Sequence, residues 1–169
     1  MKKHLSFVIA VITASVFLPS CEEKSDDIIW DFAPIVLSIS VTDHSGNDLL
    51  NRHIEGNIIG DGFRVLYDDR YFYLDNNATQ TELTTRYYMP HLYGVKVVQG
   101  NADYVLMLGE FDGQKDCDIT DIVIEWSDGS SDTFSYSNEV TWKKNKPKVK
   151  RYFYHNGKQV ESSAISITK

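Results

Sequence analysis

Four aspartates, Asp112, Asp116, Asp118 and Asp121, fall within the ten residues DGQKDCDITD. A loop this rich in carboxylates offers calcium what it needs, several hard oxygen ligands, and Gly113 eases the turn. The spacing is not that of an EF-hand, whose ligands alternate around a glycine at the sixth position. A solvated acidic turn is therefore the favoured reading. No cofactor is expected, and calcium is the one ion the sequence leaves open. Asp43, Asn47 and Asp48 carry a weaker form of the same pattern. Cys117 lies inside the acidic run. A thiol becomes a nucleophile only with a base beside it, and His44, His53, His91 and His155 are scattered along the chain. A small half-buried residue near the start of a strand is the simpler expectation. The patterns G-x-S-x-G, H-E-x-x-H and the P-loop are absent.

The aromatic residues come in short runs. In Tyr71-Phe72-Tyr73 and Tyr152-Phe153-Tyr154, strand alternation puts two tyrosines on one face and the phenylalanine on the other. With the phenylalanines inward, Tyr71, Tyr73, Tyr152 and Tyr154 point outward, and Tyr87, Tyr88 and Tyr93 add to them. Such a face can stack on sugar rings or anchor a protein partner. Cross-strand pairing is the plainer account, since tyrosine is a good strand former.

The whole chain carries 17 basic and 24 acidic residues, a net charge of −7. That balance argues against a general nucleic-acid binder, which needs a basic face to neutralise phosphates. The charge is segregated. Residues 21–139 hold 7 basic and 23 acidic side chains, net −16, whereas residues 140–169 hold 8 and 1, net +7. Lys143, Lys144, Lys146, Lys148, Lys150, Arg151 and Lys158 form the basic cluster. Lysines near a sheet edge discourage edge-to-edge pairing. The functional reading is contact with anionic headgroups, lipopolysaccharide or an acidic polysaccharide.

The elements that must position these residues read as strands. Ile35 to Thr42 alternates cleanly, with Ile35, Leu37, Ile39 and Val41 on one face. Phe63–Tyr67 and Tyr71–Leu74 flank Asp68-Asp69-Arg70, a hairpin connection. Leu92–Val98 and Tyr104–Leu108 are further strands, the second apolar on both faces and so central. Ile122–Trp126 and Asp132–Tyr136 flank a turn containing Asp128-Gly129, and Arg151–His155 precedes Asn156-Gly157, both strong hairpin signals. Val140 and Trp142 give a short strand of their own, and Ile165 and Ile167 mark the last. Beyond the leader no helix of three turns is evident. The expected fold is an all-β antiparallel β-sandwich of about nine short strands.

The first twenty residues read as an address. Lys2 and Lys3 precede an uncharged, mostly apolar run from Leu5 to Phe17, too short to span a bilayer comfortably. Leu18-Pro19-Ser20-Cys21 resembles a bacterial lipobox, with Pro19 a departure at its second position. The resemblance implies a signal peptide over residues 1–20 and lipidation of Cys21. Glu22 to Asp27 is acidic and polar, so residues 21–30 read as a flexible tether, leaving residues 31–169 for the β domain. The acidic run also resembles the export signal that sends Bacteroidetes lipoproteins to the outer face of the outer membrane.

VTDHSGNDLL (41–50), TRYYMPHLYG (85–94), DIVIEWSDGSSDT (121–133) and YHNGK (154–158) together look like small Bacteroidetes lipoproteins with one immunoglobulin-like or transthyretin-like β domain. That resemblance implies a location at the bacterial cell surface and a fold, and no reaction. The leading expectation is a non-catalytic, lipid-anchored binding or assembly module for a glycan or an envelope-protein partner. Two alternatives remain. One is a carboxylate-based hydrolase or accessory enzyme, because 24 acids allow many pairings. The other is a purely structural lipoprotein.

Overall fold

Each strand follows from where its apolar residues fall, beginning with the period-two pattern of residues 35–42. The computed structural model describes residues 30–74, 94–100 and 102–169. The leader, Cys21 and most of the tether lie outside them, as do Tyr87, Tyr88, His91, Leu92 and Tyr93. The chain divides into two units, Met1–Trp30 and Asp31–Lys169, and every strand among the described residues lies in the second. Ile35, Leu37, Ile39 and Val41 are buried, and the residues between them half-buried, along β1 (Ile35–Thr42). The chain continues through β2 (Arg64–Tyr67), β3 (Arg70–Phe72), β4 (Gly94–Gln99), β5 (Tyr104–Phe111) and β6 (Cys117–Glu125). It ends with β7 (Ser131–Lys143), β8 (Lys146–His155), β9 (Lys158–Val160) and β10 (Ala164–Thr168). Among the described residues there are ten strands and no helix.

The strands form two sheets, ordered β10-β1-β5-β4 and β3-β2-β6-β7-β8-β9. Their inner faces meet in one core. Leu37, Ile39, Leu106 and Leu108 of the first sheet, and Val65, Ile122, Ile124 and Phe134 of the second, are completely buried. The connection from β1 to β2 contributes Leu50, Ile58, Ile59 and Phe63 to the same core. Tyr67, Phe111 and Tyr136 pack as tilted rings in sequence across the sheets, with centroids 5.2 and 4.9 Å apart.

Three expectations are corrected. The sandwich is not purely antiparallel, because β1 pairs antiparallel with β5 but parallel with β10. A strand that arrives from the opposite sheet is not bound by hairpin geometry, so either direction is open to it. Val140 and Trp142 do not form a strand of their own. They continue β7, which runs thirteen residues and pairs with β8 as far as Lys143 and Lys146. That hairpin turns at Lys144-Asn145, both at positive φ (50° and 58°), the two-residue geometry that Asp68-Asp69 and Asn156-Gly157 also adopt. Among the described residues the strands number ten, against about nine expected. The inner position of β5, between β1 and β4, is as expected.

The β7–β8 hairpin outgrows the sandwich. Beyond Asn138, β7 has lost β6 as a neighbour, and β9 pairs only with Phe153–His155 of β8. At the root of the free part stands a polar rung. Arg151 Nε donates to Asn138 Oδ1 at 3.2 Å, and its Nη atoms reach the carbonyls of Ala33, Pro34 and Gly113. Asn138 is 1% exposed and donates to the carbonyls of Gly113 and Lys115 at 3.1 and 2.7 Å. The rung thereby ties the chain entering β1, and the loop after β5, to the long hairpin. Gly113 is required there, because a Cβ would collide with the Ala33 carbonyl and the Arg151 guanidinium. Gly113→Ala should cost about 2 kcal/mol of stability. Gly46→Ala, with φ of +85° but nothing within 4 Å, should cost about 1 kcal/mol. Urea denaturation of the two variants checks the order.

Candidate functional site

The outer face of the six-stranded sheet carries the expected tyrosines, but in two places. Phe72 pairs with buried Val65, and Phe153 with buried Tyr136, so both phenylalanines point inward and their neighbours outward. Tyr71 and Tyr154 therefore share a face, with β2, β6 and β7 between them, about 19 Å at the usual strand spacing. Tyr152 and Tyr154 are half-buried opposite Ser137 and Ser135. Tyr71 is partly covered, because the Arg64 guanidinium lies 4.1 Å from its ring centroid. Tyr73, just past the end of β3, is 64% exposed.

Tyr73 borders two open grooves. One, of about 670 Å³, runs over the outer face between Tyr73 and the β6–β7 turn, past Arg64, Glu125, Ser127, Ser130 and Ser131. The other, of about 460 Å³, is lined by Arg52, Asn57, Asp61 and Leu74. Arg64 Nε and Nη2 both reach Glu125 Oε2 at 2.7 Å, and the Tyr71 hydroxyl donates to Glu125 Oε1 at 3.3 Å. Arg64 and Glu125 are paired across β2 and β6, so sheet register holds the groove's two charged groups in place.

Beneath the β6–β7 turn lies a polar centre that reading the sequence missed. Asp132 accepts hydrogen bonds from Trp126 Nε1 at 2.7 Å and Asn156 Nδ2 at 2.9 Å, and pairs with His155 Nε2 at 2.8 Å and Lys169 Nζ at 3.1 Å. Burial alone would raise this carboxyl. The hydrogen bonds from His155, Asn156, Trp126 and Lys169 outweigh burial and hold it well below the usual carboxylate range. A signal was present, because Asp132 shares the inward parity of Phe134 and Tyr136, and a charge on an apolar face marks a satisfied buried carboxylate. Serine, histidine and aspartate meet here without forming a triad. Lys169 Nζ, not His155, contacts Ser130 Oγ (2.5 Å), and His155 stacks on Phe134 with centroids 4.9 Å apart. A triad needs the imidazole against the hydroxyl.

The acidic loop does not gather its carboxylates. Asp112 caps its own turn, accepting from the Gln114 and Lys115 amides; Asp116 accepts from the Val140 amide at 2.6 Å; Asp121 accepts from Ser135 Oγ at 2.6 Å. Asp118 is exposed on β6. Among the described residues no three acidic, histidine or cysteine side chains are grouped to hold a metal. Asp43 closes a turn on Ser45 and Asn47, and Asp48 Oδ2 accepts from the Tyr104 amide at 2.6 Å. Cys117 is half-buried against the core.

Asp132→Asn should lower stability at pH 7 by about 3 kcal/mol, because it leaves Lys169 without its partner charge. The wild-type carboxylate contributes its stabilisation above the unfolded aspartate range and loses it as pH falls towards the depressed folded value. Wild type and variant should therefore converge in urea midpoint as pH drops below about 4.

No family model matches this chain, and no curated protein or solved structure is significantly similar to it.

Proposed function

We propose that the protein is a lipid-anchored protein of the bacterial outer membrane, exposed at the cell surface, whose immunoglobulin-like sandwich binds glycan without catalysis. The observation that carries the binding reading is Tyr73, 64% exposed between two open grooves lined by arginine, acid, amide and hydroxyl groups. A sugar ring presents an apolar face for an aromatic side chain and a rim of hydroxyls for polar groups. The immunoglobulin-like description is supported by a chain that crosses repeatedly between two packed sheets. The anchor reading rests on the order of basic residues, apolar run and Leu18-Pro19-Ser20-Cys21.

The hydrolase alternative is less well supported. Among the described residues, the larger groove beside Tyr73 offers one carboxylate, Glu125, already committed to Arg64, and the smaller one offers Asp61. A third groove, beside Cys117, is bordered by Asp116, Asp118 and Glu139, of which Asp116 is bonded to the Val140 amide and Glu139 is paired with Lys150. Glycoside hydrolysis needs two carboxyl groups flanking one bond.

A glycan array probed with the protein should give a defined set of positive sugars. Tyr73→Ala should weaken binding to them about tenfold, because it takes one aromatic ring away from the sugar face, with an unchanged thermal midpoint. An array blank throughout would remove the glycan reading and leave a structural or protein-binding lipoprotein. For the anchor, mass spectrometry of protein from a bacterial envelope should find diacylglycerol on Cys21, and the modification should be absent from Cys21→Ala.

A further inference from the structure

We infer that the free end of the β7–β8 hairpin is a second membrane contact, which meets an anionic lipid surface tip first. It rests on the lipid-anchor reading for its orientation and on the hairpin itself for its chemistry.

The hairpin end is two-faced. On β7 the inward parity of Phe134, Tyr136 and Asn138 continues outside the sandwich through Val140 and Trp142, opposite Val149 and Pro147. Trp142 is 57% exposed and Val149 36%. Lys143 and Lys146 form the next rung, and Lys144-Asn145 the apex. An indole just behind a ring of lysines suits a headgroup layer: ammonium groups meet phosphates while the amphipathic ring settles at the interface. A fully hydrated partner would give the exposed indole less reason to be there.

Two further observations orient it. Phe32 packs edge-on against Trp142, with ring centroids 6.2 Å apart, so the domain begins beside the hairpin end. Cys21 and Phe32 are eleven residues apart, at most about 40 Å of extended chain. An acyl group on Cys21 therefore keeps this end of the domain within reach of the lipid surface. Charge acts in the same sense. Within the domain, residues 31–139 hold 6 basic and 19 acidic side chains, net −13, and residues 140–169 carry net +7, so an anionic surface repels the body of the domain and attracts the end that bears the lysines.

The test uses the chain from residue 21 onward carrying Cys21→Ala, so that neither the apolar leader nor an acyl chain contributes and the outcome is independent of whether Cys21 is modified. Vesicles of 70% phosphatidylcholine and 30% phosphatidylglycerol are compared with pure phosphatidylcholine by co-sedimentation and tryptophan emission. Partitioning onto the anionic vesicles should be about tenfold stronger or more. The triple variant K143E/K144E/K146E, confined to exposed positions, should fall to the level on neutral vesicles with an unchanged circular dichroism spectrum. Trp142→Phe should keep the anionic preference and lose the blue shift in emission. Equal partitioning onto both vesicles would overturn the inference, as would a triple variant that binds like its parent. So would lysine-dependent binding to an acidic polysaccharide with none to vesicles.

Discussion

The two-residue period of a single long strand organises both ends of this domain. Along β7, Asp132, Phe134, Tyr136, Asn138, Val140 and Trp142 all face the same way, and only the middle of that series lies over the core. A strand cannot turn one side chain outward without flipping its neighbours. The sandwich must therefore find partners for a carboxylate at one end of β7 and an amide further along. Past the amide the strand leaves the sandwich, and its inward face is covered only in part, by Phe32 against Trp142.

Two polar clusters meet that demand differently. Asp132 is charged, and four donors from Trp126, His155, Asn156 and Lys169 surround it. Asn138 is neutral and spends its amide on two loop carbonyls while accepting from Arg151. The first cluster pins the β6–β7 turn that walls the larger groove. The second fixes the root of the hairpin and the entry of the chain into β1. Neither adds much hydrophobic burial. Their contribution is to leave no buried donor or acceptor unpaired, which would cost more than the bonds themselves gain.

Much of this was legible in the residues. Alternation from Ile35 to Thr42, the Asp-Gly and Asn-Gly turns, and the inward phenylalanines of the two aromatic runs all appear where the period of two puts them. Lys144-Asn145 was not legible as a turn, because no glycine marks it and lysine seldom adopts positive φ. Without that turn, Val140 and Trp142 looked like a separate strand. The tyrosines could be assigned to a face but not to a patch, since strand order decides which of them are neighbours and alternation carries no information about order. Arg64 and Glu125 are 61 residues apart, and nothing local marks them as a pair.

The place of β1 has a consequence for when the fold can form. Its neighbours are β5 and β10, and the contacts Ser38–Met107 and Ser40–Ser166 join residues 69 and 126 positions apart. Only the end of β1 has a local partner, the antiparallel bridge from Thr42 to Asp48, so the first sheet closes only after its most distant segment is available. High contact order of this kind slows folding. The strand that leads the domain in sequence is thus among the last to be fully paired, because one of its two neighbours is the final strand of the chain.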